Sequence, residues 1–238
     1  MQKRVSRTLP GIITVSKSAQ SDISQDFGIP KNKFSIVPNG INTRLFYPID
    51  QIERKKNRLI VTNSADTPLK GLFYLFQAVA ELEKIQDISV TVVGEPKKDG
   101  DIVKLIQKLG IGHRINFTGR IDHREFVQQY ARAAVAVVPS VYEGFGLPAG
   151  EAMACGVPVI STTGGALPEV VGDAGVLVQP ADSSALASAI RELLNDPSRA
   201  QELGMAGYRR VQTHFTWEKA AEKTVAAYRE VIRGHRRI

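Results

Sequence analysis

From residue 58 onward, short and mostly apolar runs alternate with segments of helical period. The runs are residues 59–62, 88–93, 115–118, 134–138, 157–161 and 176–178. They lack the strict polar alternation of a strand wetted on one face. Between residues 59–62 and 88–93, Leu72, Leu75, Phe76 and Val79 fall at i, i+3, i+4 and i+7, which is one stripe of an amphipathic helix. Buried strands separated by helices imply an α/β fold with a doubly wound parallel sheet covered on both faces. This pattern constrains the chain more than its composition does, because it fixes both the sheet type and where a ligand must bind. In open sheets of this kind, ligands sit outside the carboxyl ends of the strands.

Punctuation supports the division into elements. Gly94, Gly110 and Gly119 close a strand, a helix and a strand in turn. Asp122 followed by Glu125 has the spacing of a capping box. Asp182 starts a helix that turns Leu186, Ala189, Ile190, Leu193 and Leu194 inward. Pro197 opens the next helix where its missing N–H costs nothing. A last helix from Trp217 to about Ile232 carries Trp217, Ala220, Ala221, Val225, Tyr228 and Ile232 on one side. Before the array, residues 12–15 and 34–37 read as strands around a polar helix at 18–27. Residues 42–58 are polar and read as a linker. The expected division is residues 1–57, an end piece and linker; 58–216, the α/β domain; and 217–238, a terminal helix with a basic tail.

The chain has 238 residues, 43% hydrophobic and 23% charged, so it can bury an ordinary core without disulfides. Its single cysteine, Cys155, excludes an internal bridge and lies in an apolar helix end, which suits a buried thiol and a reducing cytosol. No apolar run approaches the roughly 18 residues of a membrane span. The net charge of +7 gathers partly at the ends, in Lys3, Arg4 and Arg7 and in Arg229, Arg233, Arg236 and Arg237. Such tails are either solvated or drawn to an anionic surface, so peripheral membrane contact is one expectation. A nucleic-acid partner is not expected. His113, His123, His214 and His235 are scattered, without metal-ligand spacing.

Three strand ends carry groups suited to phosphate or hydroxyls. After residues 59–62 comes Asn63-Ser64-Ala65-Asp66-Thr67-Pro68-Leu69-Lys70-Gly71. A lysine at the mouth of a helix is mildly repelled by the helix, and an anion would satisfy both. After residues 134–138 comes a segment in which Glu143 and Glu151 flank Gly144-Phe145-Gly146-Leu147. Its glycines let backbone approach a ligand closely. After residues 157–161 comes Thr162-Thr163-Gly164-Gly165-Ala166-Leu167-Pro168-Glu169. Glu143 and Glu151 could in principle be a hydrolase pair, which needs carboxyls about 5 to 9.5 Å apart. Continuous helix would separate them by about 12 Å, but the glycines break it and leave the distance open. A dehydrogenase is disfavoured, since no Gly-x-Gly-x-x-Gly opens a first βα unit.

Glu143-Gly-Phe-Gly-Leu-Pro-x-x-Glu151 resembles the Glu-x7-Glu motif of the family-4 (group 1) retaining glycosyltransferases, which have the two-domain GT-B fold. Ile36-Val-Pro-Asn-Gly40, Lys70-Gly71, Phe117-Thr-Gly119, Tyr130-Ala-Arg-Ala133, Glu151-Ala-Met-Ala-Cys-Gly-Val-Pro-Val159 and Gly165-Ala-Leu-Pro-Glu169 follow the family's carboxyl-terminal, Rossmann-like domain in the same order. The resemblance spans about residues 10 to 232.

The resemblance implies a site. Glu143 would contact the donor sugar, Glu151 the ribose hydroxyls, and the backbone of Gly144, Phe145, Gly146 and Leu147 the sugar and diphosphate. Lys70 would neutralise the departing diphosphate. Gly119, Arg120 and Ile121 would lie by the base. The family pairs the lysine with an arginine just upstream, and Ser64 stands there instead. Losing one charge-assisted contact costs roughly 1.5 to 3 kcal/mol; Arg120 could substitute for it. The ligand implied is a UDP- or GDP-linked sugar used without metal or other cofactor. The acceptor-binding half of a GT-B enzyme is mostly absent from this sequence, so an acceptor domain or chain is an expected partner, and self-association is another. Transfer by this chain alone should be weak, because proximity to the acceptor is missing. A non-catalytic nucleotide or sugar-phosphate module is the alternative.

Overall fold

The computed structural model describes residues 2–62 and 67–235. In chain order the elements are α1 (Gln2–Thr8), β1 (Ile12–Thr14), α2 (Lys17–Phe27), β2 (Phe34–Ile36), β3 (Lys55–Thr62), α3 (Leu72–Leu82), β4 (Ser89–Val93), α4 (Asp101–Leu109), β5 (Ile115–Phe117), α5 (His123–Ala131), β6 (Ala133–Val138), α6 (Leu147–Ala154), β7 (Val159–Thr162), α7 (Leu167–Val171), β8 (Val176–Val178), α8 (Ser183–Asn195), α9 (Pro197–His214) and α10 (Trp217–His235).

The array forms one six-stranded sheet in the order β5-β4-β3-β6-β7-β8, and every pairing is parallel. Successive residues of the central strands serve opposite faces. Leu59, Val61, Val135 and Val137 pack with Leu75, Phe76 and Val79 of α3 and Leu186 and Ile190 of α8. Ile60, Ala136 and Val138 pack with Ala149, Ala152 and Met153 of α6 and Val211 of α9. Two cores, one on each face, are what continuously apolar strands require. Each fully buried aliphatic side chain contributes about 1.5–3 kcal/mol.

The strand read as 59–62 begins earlier, at Lys55, inside the stretch read as linker. Polar sequence hides it: Lys55 N–H donates to Arg132 O at 2.9 Å, and the register with β6 shifts between Lys55 and Leu59. Asn57 takes a positive φ of 58° in that irregular stretch. The helix signals are more faithful. Asp122 and Asp182 accept from Glu125 N–H and Ala185 N–H, each at 2.8 Å. The Glu125 side chain accepts from Gln129 and Arg132 rather than turning back to its cap, so the box is half made.

The last helix leaves most of its apolar side uncovered: Trp217, Val225, Tyr228 and Ile232 are 57, 45, 60 and 53% exposed. Ala220 and Ala227, two turns apart, are what it buries. Small residues at that spacing bring the α10 backbone close; the Trp217 ring lies partly against Gly40, and Val225, Tyr228 and Ile232 are left largely to solvent.

The opening segment forms a parallel pair, β1 with β2. Its α2 is capped by Ser16, whose Oγ accepts from Ala19 N–H at 3.0 Å, and ends at Gly28 with φ 65°. Among the described residues, no helix is long and apolar enough to cross a membrane.

Candidate functional site

The sheet order contains a reversal. The chain leaves β3 outward through β4 to β5, then returns to β6 beside β3 and runs the other way through β7 to β8. The connections that follow the two central strands therefore diverge, and a crevice opens at their carboxyl ends. Lys70, after β3, and Glu143, after β6, meet there. The Lys70 Nζ lies 2.6 Å from Glu143 Oε1, with the side chains 32 and 12% exposed. Ser140 Oγ donates to the same Oε1 at 2.9 Å.

The local sequence makes this meeting possible. Gly71 has a φ of +72°, and a Cβ there would lie 1.9 Å from Pro139 O. Only glycine lets the loop after β3 cross the end of β6 so closely. Val141 N–H ties the two loops by donating to Leu69 O at 2.8 Å. Gly71 is also the N-cap of α3, and Gly146, at φ +106°, is the N-cap of α6; neither helix has a side-chain cap. The first N–H groups of both helices are thus left for solvent or a ligand. Two helix amino ends and one ammonium group form a region of positive potential, partly offset by one carboxylate.

The turn after β7 supports this loop from behind. Gly165, at φ +62°, packs so tightly that a Cβ would lie 2.2 Å from Glu143 O. Ala166 N–H donates to that oxygen at 2.8 Å. The Phe145 ring is buried and meets Phe215 edge-on, with centroids 5.8 Å apart. Phe145 thus anchors the loop with its side chain and offers only backbone. Among the described residues, the N–H groups of Gly144, Phe145, Gly146 and Leu147 donate no hydrogen bond. Gly144 is exposed, with open space where a Cβ would be, and Leu147 is 43% exposed.

Glu151 lies one turn into α6, in a different setting. Burial pushes its carboxyl from the ordinary 4.5 up to about 7, and a hydrogen bond with Tyr130 opposes the rise. Glu143 is committed to Lys70 and Ser140, Glu151 to Tyr130. The two carboxyls therefore do not share one environment, and a hydrolase pair gains no support.

Gly119 follows β5 with φ +67°, and its N–H donates to Gly94 O at 3.1 Å. Its strand is at the sheet edge, so Gly119, Arg120 and Ile121 stand on the flank of the crevice rather than at its centre. Arg120 is exposed and, among the described residues, makes no ion pair or hydrogen bond. Ser64 lies outside the described residues. Cys155 is buried, with its thiol pushed up to about 12 by burial, so it is inert. Among the described residues, no three His, Cys, Asp or Glu side chains gather as a metal site would need.

Sequence reading missed Ser140 and Tyr130. Ser140 directly follows the β6 turn, so its place at a strand end was a usable signal. Tyr130 lies on α5, and nothing local marks it as a partner of Glu151.

The family described as glycosyl transferases group 1 matches residues 46–210. The MMP alpha-(1->4)-mannosyltransferase of Mycolicibacterium hassiacum is 42% identical over 235 residues, covering 98% of this chain and 57% of that protein. This chain therefore spans little more than half the length of that curated relative. The sucrose-phosphate synthase of Thermosynechococcus elongatus superposes with a TM-score of 0.85 at 33% identity, over 98% of this chain and 61% of the other. The carboxyl-terminal domain of a group 1 glycosyl transferase from Francisella tularensis, solved by itself, aligns over its whole length and 75% of this chain, with a TM-score of 0.65 and 31% identity.

Proposed function

The chain belongs to the group 1 glycosyltransferases, and we propose that it is their donor half, binding a nucleotide-diphosphate sugar for retaining transfer without a metal ion. The observation that carries this reading is the Lys70–Glu143 pair at the point where the sheet order reverses, between two uncapped helix amino ends.

Each group has a role in the proposal. The departing nucleoside diphosphate develops negative charge, and groups already aimed at that charge lower the barrier. Lys70 and the amino ends of α3 and α6 supply positive charge there. While no diphosphate is bound, Glu143 balances Lys70. When the diphosphate arrives, Lys70 turns to it and Glu143 is freed to accept from a sugar hydroxyl. The unused N–H groups of Gly144 to Leu147 face the sugar and phosphate oxygens. The Glu151 carboxylate accepts from the ribose hydroxyls, and Gly119 to Ile121 border the base. With a carboxyl that titrates near 7, nucleotide binding strengthens as pH rises from about 6 to 8, because only the ionised form accepts both ribose hydrogens.

We also propose that transfer to an acceptor needs the part of the relatives that lies outside the match, since the donor half alone cannot hold both substrates together. Calorimetric titration with UDP, GDP and ADP and their sugar conjugates, with and without magnesium, tests the reading. Saturable binding that is independent of magnesium and weakened by Lys70→Ala supports it. Absence of binding to all of them defeats it.

A further inference from the structure

We propose that Glu169 is a positioning residue that holds the donor loop in its sugar-facing shape, acting through α2 and Ser16. The inference rests on the donor-site reading for its consequence, but not for its geometry.

The geometry begins at the amino end of α2. Glu169, on α7, accepts from Lys17 N–H through Oε2 and from Ser18 N–H through Oε1, each at 2.8 Å. A carboxylate receiving two first-turn N–H groups is favoured by both the hydrogen bonds and the helix dipole. Ser16 Oγ accepts the third, from Ala19. The Ser16 hydroxyl then spends its own hydrogen on Gly144 O, at 2.8 Å. Two residues earlier, the Tyr142 O–H donates to Asp22 of α2. The loop is therefore attached to α2 on both sides of Glu143, and α2 is attached to α7 through Glu169.

These contacts join segments more than 100 residues apart in sequence, so they owe nothing to local folding. Gly144 and Gly146 leave the loop backbone with few preferences of its own, and Gly144 touches nothing that would hold a side chain. Its shape must be imposed from outside. The turn at Gly165 and Ala166 fixes Glu143 O from one side, and α2 fixes Gly144 O from the other. Losing the Glu169 contact would let α2 swing, release Gly144 O, and slacken the backbone that aims Glu143 and the free N–H groups at the sugar.

The test uses the full chain with Glu169→Gln, which keeps the volume but loses the charge, and Ser16→Ala, which cuts the link at the far end. Amide exchange measured by NMR reads the coupling without any ligand. Val141 N–H and Ala166 N–H, whose partners are in the two loops, should exchange about tenfold faster in both variants, equivalent to about 1.4 kcal/mol of local opening, while the amides of β4 stay unchanged. Unchanged exchange at both amides overturns the proposal. Titration reads the consequence: affinity for the nucleotide sugar should fall about tenfold further than affinity for the bare nucleoside diphosphate, which Lys70 and the helix ends still hold. Equal losses overturn the positioning role and leave only a stabilising one. If the wild-type chain binds no nucleotide, the donor reading fails, and the exchange measurement alone decides whether Glu169 holds the loop. Should Glu169→Gln fail to fold, Ser16→Ala and Tyr142→Phe cut the same attachment beyond the capping contact.

Discussion

The two ends of the same sheet treat their cations in opposite ways. At the amino ends of the strands, Arg54 donates to Ala133 O and Gly156 O at 2.9 and 2.8 Å. Nearby, Arg58 is only 8% exposed and donates to Thr91 Oγ1, to Gln129 O and to the Gln129 side chain. These guanidinium groups tie strands and helices together through neutral acceptors. Burial, with the charge of nearby Arg132, lowers the Arg58 pKa and the Glu125 charge opposes this; among the described residues Arg58 makes no ion pair. At the carboxyl ends, Lys70 touches one carboxylate, that of Glu143, beside the uncapped amino end of α3. A cation saturated by backbone oxygens is part of the scaffold. In the proposed function, a cation held by a single side chain is the one given to a ligand.

That contrast can be broken by mutation, and the largest effect is expected at Arg58. Arg58→Ala leaves a buried Thr91 hydroxyl and the Gln129 carbonyl without partners and should cost about 3 kcal/mol in urea unfolding. Nucleotide affinity of the folded fraction should stay as it was; a large change in affinity would dissolve the distinction between the two ends. Lys70→Ala should do the reverse, weakening nucleoside diphosphate binding about 10- to 100-fold, or roughly 1.5–3 kcal/mol, with stability nearly unmoved. A melting temperature that fell with unchanged binding would place Lys70 among the scaffold cations.

Glu151→Gln should have a smaller effect that depends on pH. The folded carboxyl titrates near 7 against an ordinary 4.5, so folding favours its protonated form. The stability this gives is complete below about 4.5 and is lost as pH rises through about 7. Glutamine cannot ionise, so the variant's melting temperature relative to wild type should climb between pH 5 and pH 8. A constant difference across that range would show that the buried carboxyl is not the titrating group. The smallest effect belongs to Lys56, exposed at the amino end: Lys56→Ala should change stability by less than about 0.5 kcal/mol and leave nucleotide titration unaltered.

Much of the fold was legible because its signals are local. The strand runs, the caps at Asp122 and Asp182, the stop at Gly110 and the proline opening α9 all hold in the structure. The first residues of β3 were not legible, since polar residues at the end of a strand resemble a linker until a neighbouring strand claims their backbone. The exposure of the α10 face was not legible for a related reason: periodicity reports which residues share a side, and only packing says whether anything covers that side.

The site divides along the same line. Sequence alone pointed to a parallel sheet and to its carboxyl ends as the place to expect a ligand, and, through the family resemblance of their motifs, to Lys70, Glu143 and Glu151 as the groups to watch, because pattern and motif are read along one chain. Only the tertiary structure decided that β6 returns beside β3, and so brought Lys70 to Glu143 across 73 residues of sequence. It alone placed Tyr130 on Glu151 and joined Glu169 to the amino end of α2 across 152 residues. The reason is physical: periodicity and capping act over a few residues, whereas the order of strands in a sheet is set by how both faces are buried together, and that is a property of the whole chain.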